Sequence, residues 1–544
     1  MNRTCMFKSI LRPVAVAVLL VMAIAAIRAK ASTSVFLSAV TYKSGGDGAM
    51  SVAVADVNGD TRPDVVVVNA CPITGCSDRE AVAVLLANGD GTFEEAVTYG
   101  SGGVTTSTDG SDSGIASVAI ADVNKDTKAD LVVTNPCGTG GECTSGSVGV
   151  LLGNGDGTFQ PAVTYGSGGY VDPSVTVADM NQDGNPDLVV ANTCADSLCD
   201  GSGLVGVLFG NGDGTFQAVF IYESGGKFAQ SVAVGDVNRD GRLDILVANE
   251  RDSVAALLGN GDGTFQSAVT YEAIGFHRFI AIADVNNDGN PDLVVPSYSS
   301  HSVDVLLGNG DATFGAPISS DTGGLNVPAL AVADVSGDDA LDVLAVNACA
   351  DFNCVTGTVA VLLGNADGTF QPAVTYDSGG NLPGSIAVAD VNGDAKPDVV
   401  VANFKIDSLP LTGGGSVGVL LNGSAGPIPT RIDIKPGAFP NRVNPHSHAL
   451  LRVALLATDT FDLTVVDPRT VRFGPAGARP FAVRERDVNG DGRLDAVYYF
   501  KTNLTGIACG DTSASLVVIA EGQTFAGTDS IQTKECRHAA EWRE

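Results

Sequence analysis

An acidic nine-residue pattern, D-x-[N/S]-x-D-x-x-x-D, occurs eight times in this chain of 544 residues. Seven copies begin at Asp56, Asp122, Asp179, Asp236, Asp284, Asp334 and Asp390, and an eighth begins at Asp487. Side chains at positions 1, 3 and 5 of a tight loop project inward and can surround one cation, to which position 9 returns. Carboxylate and amide oxygens are hard ligands that favour Ca2+, whereas Mg2+ requires a stricter octahedron and keeps more water. The pattern therefore predicts a calcium site in each copy.

The predicted ligands share one arrangement, with Asp at positions 1, 5 and 9 and Asn or Ser at position 3. They are Asp56, Asn58, Asp60 and Asp64, with the backbone carbonyl of Arg62 at position 7; Asp122, Asn124, Asp126 and Asp130; Asp179, Asn181, Asp183 and Asp187; Asp236, Asn238, Asp240 and Asp244; Asp284, Asn286, Asp288 and Asp292; Asp334, Ser336, Asp338 and Asp342; Asp390, Asn392, Asp394 and Asp398; and Asp487, Asn489, Asp491 and Asp495. Without a metal, three carboxylates this close together would repel one another strongly. A polar turn that binds no metal is the alternative, and eight copies of the same three acids disfavour it.

Two departures from the pattern affect single sites. Ser336 replaces Asn at position 3 of the sixth copy, which predicts weaker binding there. Position 6 is Gly in the third, fourth, fifth and eighth copies only. The other four copies cannot use the freedom of glycine at positive φ; their residues are Thr61, Thr127, Asp339 and Ala395.

Each of the first seven copies lies in a repeat that predicts four β-strands. In the first repeat, the alternating run Ser51–Val57 and the β-branched run Asp64–Asn69 flank the acidic loop. Ala81–Ala87 follows a variable segment, and Phe93–Tyr99 follows the turn sequence N-G-D-G. The seventh repeat lacks the fourth strand, whereas Phe36–Tyr42 carries that sequence near the N terminus. We therefore expect an all-β protein, with a seven-bladed β-propeller closed by an N-terminal strand and followed by a small β-sandwich domain.

Four regions follow from these patterns. Residues 1–31 combine a basic start, an apolar run too short to span a bilayer and Ala29-Lys30-Ala31, which predicts a cleaved signal peptide. The propeller covers residues 35–423. A linker at residues 424–431 contains Pro427-Ile428-Pro429, and residues 432–544 form the C-terminal module. Export predicts a secreted, extracellular or cell-surface protein, and we expect a monomer.

Charge and cysteine usage agree with an exported binding protein. The formal net charge of -31 disfavours nucleic acid and anionic membranes as partners, because both require a basic face. Ten cysteines follow the predicted signal peptide as neighbouring pairs, which predicts disulfides in an exported chain. The pairs are Cys71/Cys76, Cys137/Cys143, Cys194/Cys199, Cys349/Cys354 and Cys509/Cys536.

The repeats resemble the FG-GAP/VCBS family, which includes the propeller of integrin α subunits. The resemblance covers residues 35–423 and rests on A-D-V-N-x-D-x-x-x-D and on L-L-G-N-G-D-G-T-F, found at Leu151–Phe159 and Leu257–Phe265. It implies a calcium-binding propeller with adhesive or ligand-binding roles. The segment from Ile432 resembles a sandwich module of secreted bacterial proteins through I-D-I-K-P-G, F-G-P-x-G-A and T-G-I-x-C-G-D-T. That second resemblance implies no defined activity.

The loops of the predicted blades divide into a uniform face and a variable face. The acidic loops and the N-G-D-G-T turns are nearly identical between repeats, whereas the second-to-third and fourth-to-first loops vary. Binding surfaces favour varied loops on a rigid scaffold, so we expect the variable loops to contact an extracellular protein or glycan. Tolerated insertions, stiffened against proteolysis, are the alternative. The variable segments include Ala70–Glu80, Ser101–Ser113, Pro136–Gly146, Thr193–Gly203 and Ala348–Gly357.

Two other function classes remain as alternatives. A lectin could bind sugars on a recurrent tyrosine, although packing is the simpler role for it; its copies are Tyr42, Tyr99, Tyr165, Tyr222, Tyr271 and Tyr376. A polysaccharide hydrolase or lyase would need acid pairs, and cation binding already accounts for every recurrent pair. The G-x-S-x-G match at Gly414–Gly418 falls where a third strand begins, whereas a nucleophile elbow requires a strand-to-helix turn. We therefore expect no catalytic residues and no cofactor other than Ca2+.

Overall fold

The computed structural model describes residues 35–46, 48–70, 82–103, 116–136, 145–170, 174–195, 202–250, 253–273, 275–405, 414–423, 428–438, 440–457, 463, 466, 470–475, 478–520 and 523–534. The predicted signal peptide lies outside this range. Two compact units divide between Asn422 and Gly423. Apart from short 3-10 turns such as Thr502–Leu504, the regular elements of the described residues are all strands. None of these residues forms an apolar helix long enough to cross a membrane.

The first unit contains seven four-stranded antiparallel sheets that follow one another along the chain. Their first strands are β2 (Ala49–Ala55), β6 (Val118–Ala121), β10 (Ser174–Ala178), β14 (Ala229–Gly235), β18 (Ala281–Ala283), β22 (Leu330–Ala333) and β26 (Asn381–Ala389). The second strands are β3 (Asp64–Asn69), β7 (Asp130–Asn135), β11 (Asp187–Asn192), β15 (Asp244–Asn249), β19 (Asp292–Ser297), β23 (Asp342–Asn347) and β27 (Asp398–Lys405). The third strands are β4 (Val82–Leu85), β8 (Ser147–Leu151), β12 (Ser202–Leu208), β16 (Ser253–Leu257), β20 (Ser302–Leu306), β24 (Thr358–Leu362) and β28 (Ser416–Leu420). The fourth strands are β5 (Val97–Tyr99), β9 (Val163–Gly166), β13 (Phe220–Lys227), β17 (Val269–Glu272), β21 (Ile318–Asp321), β25 (Val374–Asp377) and, in the seventh sheet, β1 (Val40–Lys43).

The seven sheets form a closed cycle of neighbours. β1 pairs antiparallel with β28, so that Tyr42 lies opposite Val417 and the N-terminal strand completes the last sheet. The first strands contact one another in the order β2, β6, β10, β14, β18, β22, β26 and again β2. This arrangement is consistent with the blades of a propeller. The predicted all-β class and the repeated four-stranded antiparallel sheet are confirmed.

Each second strand is buried on both faces because its sheet lies between two others. In β3, Val65 and Val67 pack in one core with Val400 of the seventh sheet. Val66 and Val68 face the other way and pack in a core that includes residues of the second sheet. A strand buried on both faces needs a continuous apolar run rather than alternation, which explains the V-V-V-V sequence. The burial of each valine stabilises the fold by roughly 1.5–3 kcal/mol.

Several strand boundaries differ from the predicted ones. The second strand Asp64–Asn69 lies where it was predicted. The fourth strand is shorter, because Phe93 makes only an isolated bridge with Ala87 and regular pairing begins at Val97. The first strand of the seventh sheet begins at Asn381 and includes a register shift beside Pro383. Pro383 has no backbone N–H to donate, and β26 is an edge strand of its sheet, where the loss of one donor is tolerated.

The second unit contains two four-stranded sheets and one strand pair. Its strands are β29 (Ile428–Pro429), β30 (Ile432–Ile434), β31 (Arg442–Val443), β32 (Leu450–Leu455), β33 (Arg472–Phe473), β34 (Ala482–Arg486), β35 (Asp495–Lys501), β36 (Ser513–Ala520), β37 (Gln523–Ser530) and β38 (Gln532–Thr533). One sheet has the order β29-β37-β36-β33, the other has the order β30-β32-β35-β34, and β31 pairs with β38. Phe473 and Leu516 of the first sheet share one apolar core with Val453 and Phe500 of the second.

Candidate metal centres

The acidic loop joins the first and second strands of each sheet in the first unit, and it folds around its own amide groups. In the first copy, the Asp56 carboxylate accepts hydrogen bonds from the backbone N–H groups of Asp60 (3.1 Å) and Thr61 (2.7 Å). Asn58 Oδ1 also accepts from the Asp60 N–H (2.9 Å), and Asp60 Oδ1 accepts from the Arg62 N–H (2.9 Å). The side chains at positions 1, 3 and 5 therefore accept hydrogen bonds from amides of their own loop. The role of the Arg62 carbonyl as a metal ligand stays a prediction.

The hydrogen bond from position 6 to position 1 recurs in all eight copies and requires left-handed backbone. The acceptors in the other seven are Asp122, Asp179, Asp236, Asp284, Asp334, Asp390 and Asp487, at 2.7–3.0 Å. The four residues that replace glycine nevertheless adopt positive φ: Thr61 at 71°, Thr127 at 69°, Asp339 at 65° and Ala395 at 65°. Such backbone costs a residue with a Cβ about 1–2 kcal/mol. The loop therefore keeps one conformation even where the sequence lacks glycine.

The carboxylate at position 9 is buried and connects two separate loops. Asp64 Oδ2 accepts from the Val57 N–H (3.0 Å), and Oδ1 accepts from the N–H of Ala87 (2.7 Å), which precedes the third-to-fourth turn. Asp130, Asp187, Asp244, Asp292, Asp342, Asp398 and, in the second unit, Asp495 make the same two kinds of bond at 2.6–3.1 Å. All eight carboxylates are fully buried. Position 9 therefore has a structural role of its own.

Burial dominates the electrostatics of position 9 in the first unit. Loss of water raises the pKa of the Asp64 carboxyl, the two amide hydrogen bonds oppose the rise, and repulsion from Asp60 and Asp56 adds to it. The same balance raises the pKa of Asp187 and of Asp398 to about 6.

Ser336 changes the hydrogen bonding of the sixth loop. In the first loop, Asn58 accepts from the N–H at position 5, whereas the Ser336 hydroxyl donates to Asp334 Oδ1 (3.3 Å). The Asp338 N–H then bonds to Asp334 alone, at 3.2 Å. A hydroxyl also offers a metal a weaker donor than an amide oxygen. Weaker calcium binding at the sixth loop therefore stays a prediction, with this difference in hydrogen bonding as its physical reason.

Side chains at position 4 connect neighbouring loops, which the pattern did not reveal. Lys125 Nζ donates to Asn185 Oδ1 of the next loop at 3.2 Å. Gln182 Nε2 donates to the Gly241 carbonyl at 2.9 Å, and an Arg239 guanidinium nitrogen donates to Asn290 Oδ1 at 3.1 Å. These residues differ in type and vary between copies, so no repeated sequence signal marks them. These three bonds therefore link the acidic loops of the second, third, fourth and fifth sheets in sequence.

The donor chemistry of the loops fits Ca2+, although their carboxylates are engaged with amides in this structure. Within the described ranges, no three His, Cys, Asp or Glu side chains converge closely enough to hold a metal ion. Positions 1, 3 and 5 supply carboxylate and amide oxygens only, the donors that Ca2+ takes. An ionised carboxylate has about four lone-pair sites, so an amide bond leaves each side chain capacity for a cation. The calcium sites stay a prediction.

The recurrent tyrosine lies between sheets and does not line an open site. Tyr99 presents the edge of its ring to Phe159 of the next sheet, with centroids 5.4 Å apart, and its hydroxyl donates to the Gly157 carbonyl at 3.2 Å. Tyr42, Tyr165, Tyr222, Tyr271 and Tyr376 make corresponding edge contacts with a phenylalanine of the next sheet at 5.1–5.6 Å. Burial raises the pKa of Tyr99, and repulsion from Asp156 adds to the rise. Packing therefore accounts for the tyrosine that a lectin would have needed on its surface.

One predicted cysteine pair lies wholly within the described residues. Cys349 and Cys354 form a disulfide with their Cα atoms 4.5 Å apart. The pairs Cys71/Cys76 and Cys137/Cys143 lie outside the described residues, as do Cys199 and Cys536, the predicted partners of Cys194 and Cys509. The G-x-S-x-G serine, Ser416, begins β28 opposite Asn403, so it lies in a sheet rather than at a strand-to-helix turn.

Comparison with known proteins identifies the repeat. The FG-GAP-like repeat model matches residues 139–190, 195–247, 236–295, 284–345 and 348–401, and the FG-GAP repeat model matches residues 115–151. No curated protein matches the chain. Among solved structures, BBS1N in complex with ARL6DN, soaked with lead, is 12% identical with a TM-score of 0.46, over 72% of this chain and 98% of that one. NanB plus Optactamide, and a mutant of the NanB sialidase from Streptococcus pneumoniae, are each 11% identical with a TM-score of 0.39, over 70% of both chains. With its repeated four-stranded sheets and five matched FG-GAP-like segments, this chain belongs to the FG-GAP repeat proteins.

Proposed function

We propose that this chain is a secreted, calcium-stabilised binding protein that acts in adhesion or as a scaffold. It contacts an extracellular protein or glycan through the variable loops. The observation that carries the proposal is the division of the loops between two ends of the sheets. In each antiparallel sheet, the acidic loop and the third-to-fourth turn share one end, and the second-to-third loop and the connection between sheets share the other. The position 9 carboxylates occupy the first end in every sheet, which leaves the second end free to vary.

A buried asparagine anchors the variable end. Asn69, the last residue of β3, donates from Nδ2 to the Ser44 carbonyl at 3.0 Å, where the preceding connection passes. The same bond recurs at 3.0–3.5 Å between Asn135 and Ser101, Asn192 and Ser167, Asn249 and Ser224, Asn347 and Thr322, and Asn403 and Ser378. Loops that vary on fixed anchors are typical of a binding face.

Calcium has a stabilising role in this proposal. A bound Ca2+ would be held by positions 1, 3 and 5 and would neutralise the carboxylates there. Each occupied site stabilises the folded state by roughly 2.7 kcal/mol at a hundredfold excess over the dissociation constant. Thermal melting of the intact protein in calcium and in chelator tests the metal, and we expect the higher midpoint in calcium. Equal midpoints would remove calcium from the proposal.

Exchange of loops tests the binding face. The segment Ala348–Gly357 is replaced by a short glycine-containing turn in one variant, and the acidic loop Asp56–Asp64 is replaced by that of another sheet in the control. A ligand found by glycan array or by protein interaction screening should lose affinity in the first variant and keep it in the second. Loss in the control alone would refute the proposed face. The glycan array separates the lectin alternative, and a hydrolase screen on polysaccharides tests for an enzyme.

A further inference from the structure

The variable end of the fifth sheet differs from that of the other six. β19 ends at Ser297 instead of asparagine, and Ala273 occupies the place of the serine that asparagine binds elsewhere. The connection into this sheet reads A-I-G where most others read S-G-G, and the bulky residues Phe276, His277 and Arg278 follow it. Phe276 is 42% exposed, whereas His277 is fully buried with Nδ1 at 3.1 Å from the Pro296 carbonyl. The bond between asparagine and the connection, which the other sheets use, is therefore replaced here by the cluster of Phe276, His277 and Pro296.

Arg278, in the same connection, is a cation without a carboxylate. Its guanidinium lies 4.7 Å from the centre of the Tyr298 ring. Among the residues that the structure describes, no acid lies within salt-bridge distance of Arg278. The aromatic ring fixes the plane of the guanidinium, and its N–H edge can pair with a carboxylate of another molecule.

Phe352 projects from the sixth sheet on a rigid loop. Its side chain is 93% exposed, and the nearby Val355 is 52% exposed. The Cys349–Cys354 disulfide closes the loop, and the Cys354 N–H donates to the Asp351 carbonyl at 3.1 Å, which forms a turn with Phe352 near its apex. The Asp351 carboxylate also accepts from the Asn353 N–H at 2.9 Å. A preorganised aromatic side chain loses little entropy when a partner buries it.

The connection that carries Phe276 and Arg278 is linked to the Phe352 loop through the intervening loops of the fifth and sixth sheets; its first link is the Tyr298 N–H, which donates to the Phe276 carbonyl at 2.9 Å. His301, in the loop that follows β19, accepts at Nδ1 a hydrogen bond from the Asn326 N–H at 3.1 Å. The adjacent residue, Leu325, pairs with Cys349 at the base of the Phe352 loop. Hydrogen bonds therefore connect the fifth-sheet loop to the disulfide-closed loop of the sixth sheet.

We propose that Arg278, Phe276 and Phe352 form the contact surface for a protein segment in which a carboxylate lies beside apolar side chains. Arg278 binds the carboxylate, and the two phenylalanines pack against the apolar groups. Exposed aromatic residues and arginine are the side chains that most often dominate protein interfaces. An anionic bilayer is disfavoured as the partner, because Asp351 lies beside Phe352 and the chain as a whole is acidic. The proposal rests on the proposed function, and it adds the cysteine-free loops of the fifth sheet to the binding face.

A displayed random dodecapeptide library, panned on the intact protein in calcium, tests this surface. We expect enriched peptides that contain Asp or Glu next to apolar residues. Their affinity should fall about tenfold or more in Phe352→Ser and in Arg278→Ala. Phe481→Ser and Arg484→Ala are matched controls in the second unit, where Phe481 is 69% exposed and Arg484 is exposed. Both controls should keep the wild-type affinity.

The outcomes separate this proposal from the proposed function. Peptides that bind wild type, Phe352→Ser and Arg278→Ala equally, but lose binding when Thr193–Gly203 is exchanged, would refute this surface and leave the variable face intact. Peptides that respond to no variable loop, or an empty selection, would refute this surface, whereas the glycan array and the protein interaction screen decide the proposed function. Binding to phosphatidylserine vesicles that is lost in Phe352→Ser would assign the surface to a membrane and overturn the proposal.

Discussion

Ser320 interrupts a series of contacts that joins each sheet to the next, and Ser320→Tyr should restore it. Ser320 lies opposite Val303, the register that Tyr99 has with Val82 and Tyr376 has with Val359. Four other fourth strands in the first unit also place a tyrosine there. In the described part of the chain, Phe370 of the sixth sheet pairs with no aromatic ring, although its turn keeps the usual geometry. The junction between the fifth and sixth sheets is therefore prepared for a tyrosine that the sequence does not supply.

The expected gain follows from the junctions that are complete. An edge-to-face ring pair contributes about 0.5–1.5 kcal/mol beyond its burial. A neutral hydrogen bond such as that from Tyr99 to Gly157 contributes a net 0.5–1.5 kcal/mol or so. The site is half-buried, so each contribution falls near its lower limit, and we expect Ser320→Tyr to raise the free energy of unfolding by about 1–2 kcal/mol. Tyr99→Phe removes only the hydroxyl and its hydrogen bond, and it should lower the free energy of unfolding by about 1 kcal/mol. Tyr99→Ser also leaves a gap, and it should lower the free energy of unfolding by about 2–3 kcal/mol.

Urea unfolding of the intact protein, in calcium, measures these differences through the midpoint at constant m. Tyrosine fluorescence is unsuitable because the mutations change it, so circular dichroism at a strand wavelength should follow the transition. The diagnostic result is the order of the unfolding midpoints, which should fall from Ser320→Tyr to wild type, then to Tyr99→Phe and finally to Tyr99→Ser. A Ser320→Tyr protein less stable than wild type, with Tyr99→Phe unchanged, would show that the tyrosine contacts do not hold the sheets together.

Three other predictions concern the loops. Ala395→Gly should raise the free energy of unfolding by about 0.5–1 kcal/mol, because it relieves a φ of 65°. Gly241→Ala should lower it by about 1–2 kcal/mol through the positive φ alone, because the added Cβ would meet nothing within 4 Å. Equal midpoints of urea unfolding for these variants and wild type would contradict the role of φ. Asp64→Asn should cost about 1–3 kcal/mol even in chelator, since an amide cannot accept from both Val57 and Ala87, whereas Asp60→Asn in chelator should change stability by less than about 0.5 kcal/mol. Phe352→Ser should leave the unfolding midpoint within about 0.5 kcal/mol of wild type, as expected for a side chain that is 93% exposed; a larger loss would mean that the loop supports the sheet.

Local patterns predicted the strands that are buried on both faces, and they failed where the interactions are distant. The run D-V-V-V-V-N sufficed for β3, because burial on two faces demands a continuous apolar sequence. The pattern could not show that Asp64 also binds the N–H of Ala87, since the two residues lie 23 positions apart. Tyr99 was recognised as recurrent, yet its partner Phe159 belongs to another repeat. In the second unit, no local pattern marks β34, because A-V-R-E-R is exposed along its whole length and shows no apolar alternation.

The second strand explains how one repeat can keep one end constant while the other varies. β3 begins with the buried Asp64 and ends with the buried Asn69. Asp64 binds the two loops at the acidic end, and Asn69 binds the connection at the variable end, so one rigid strand positions both. Neither anchor uses the loop side chains at positions 1, 3 and 5, which means that a cation there can be lost without breaking either anchor. The fifth sheet supports this division: Asp292 keeps its two amide bonds, whereas the asparagine is replaced by Ser297. Its acidic loop has the usual hydrogen bonds, whereas its variable end has changed to the cluster that carries Arg278.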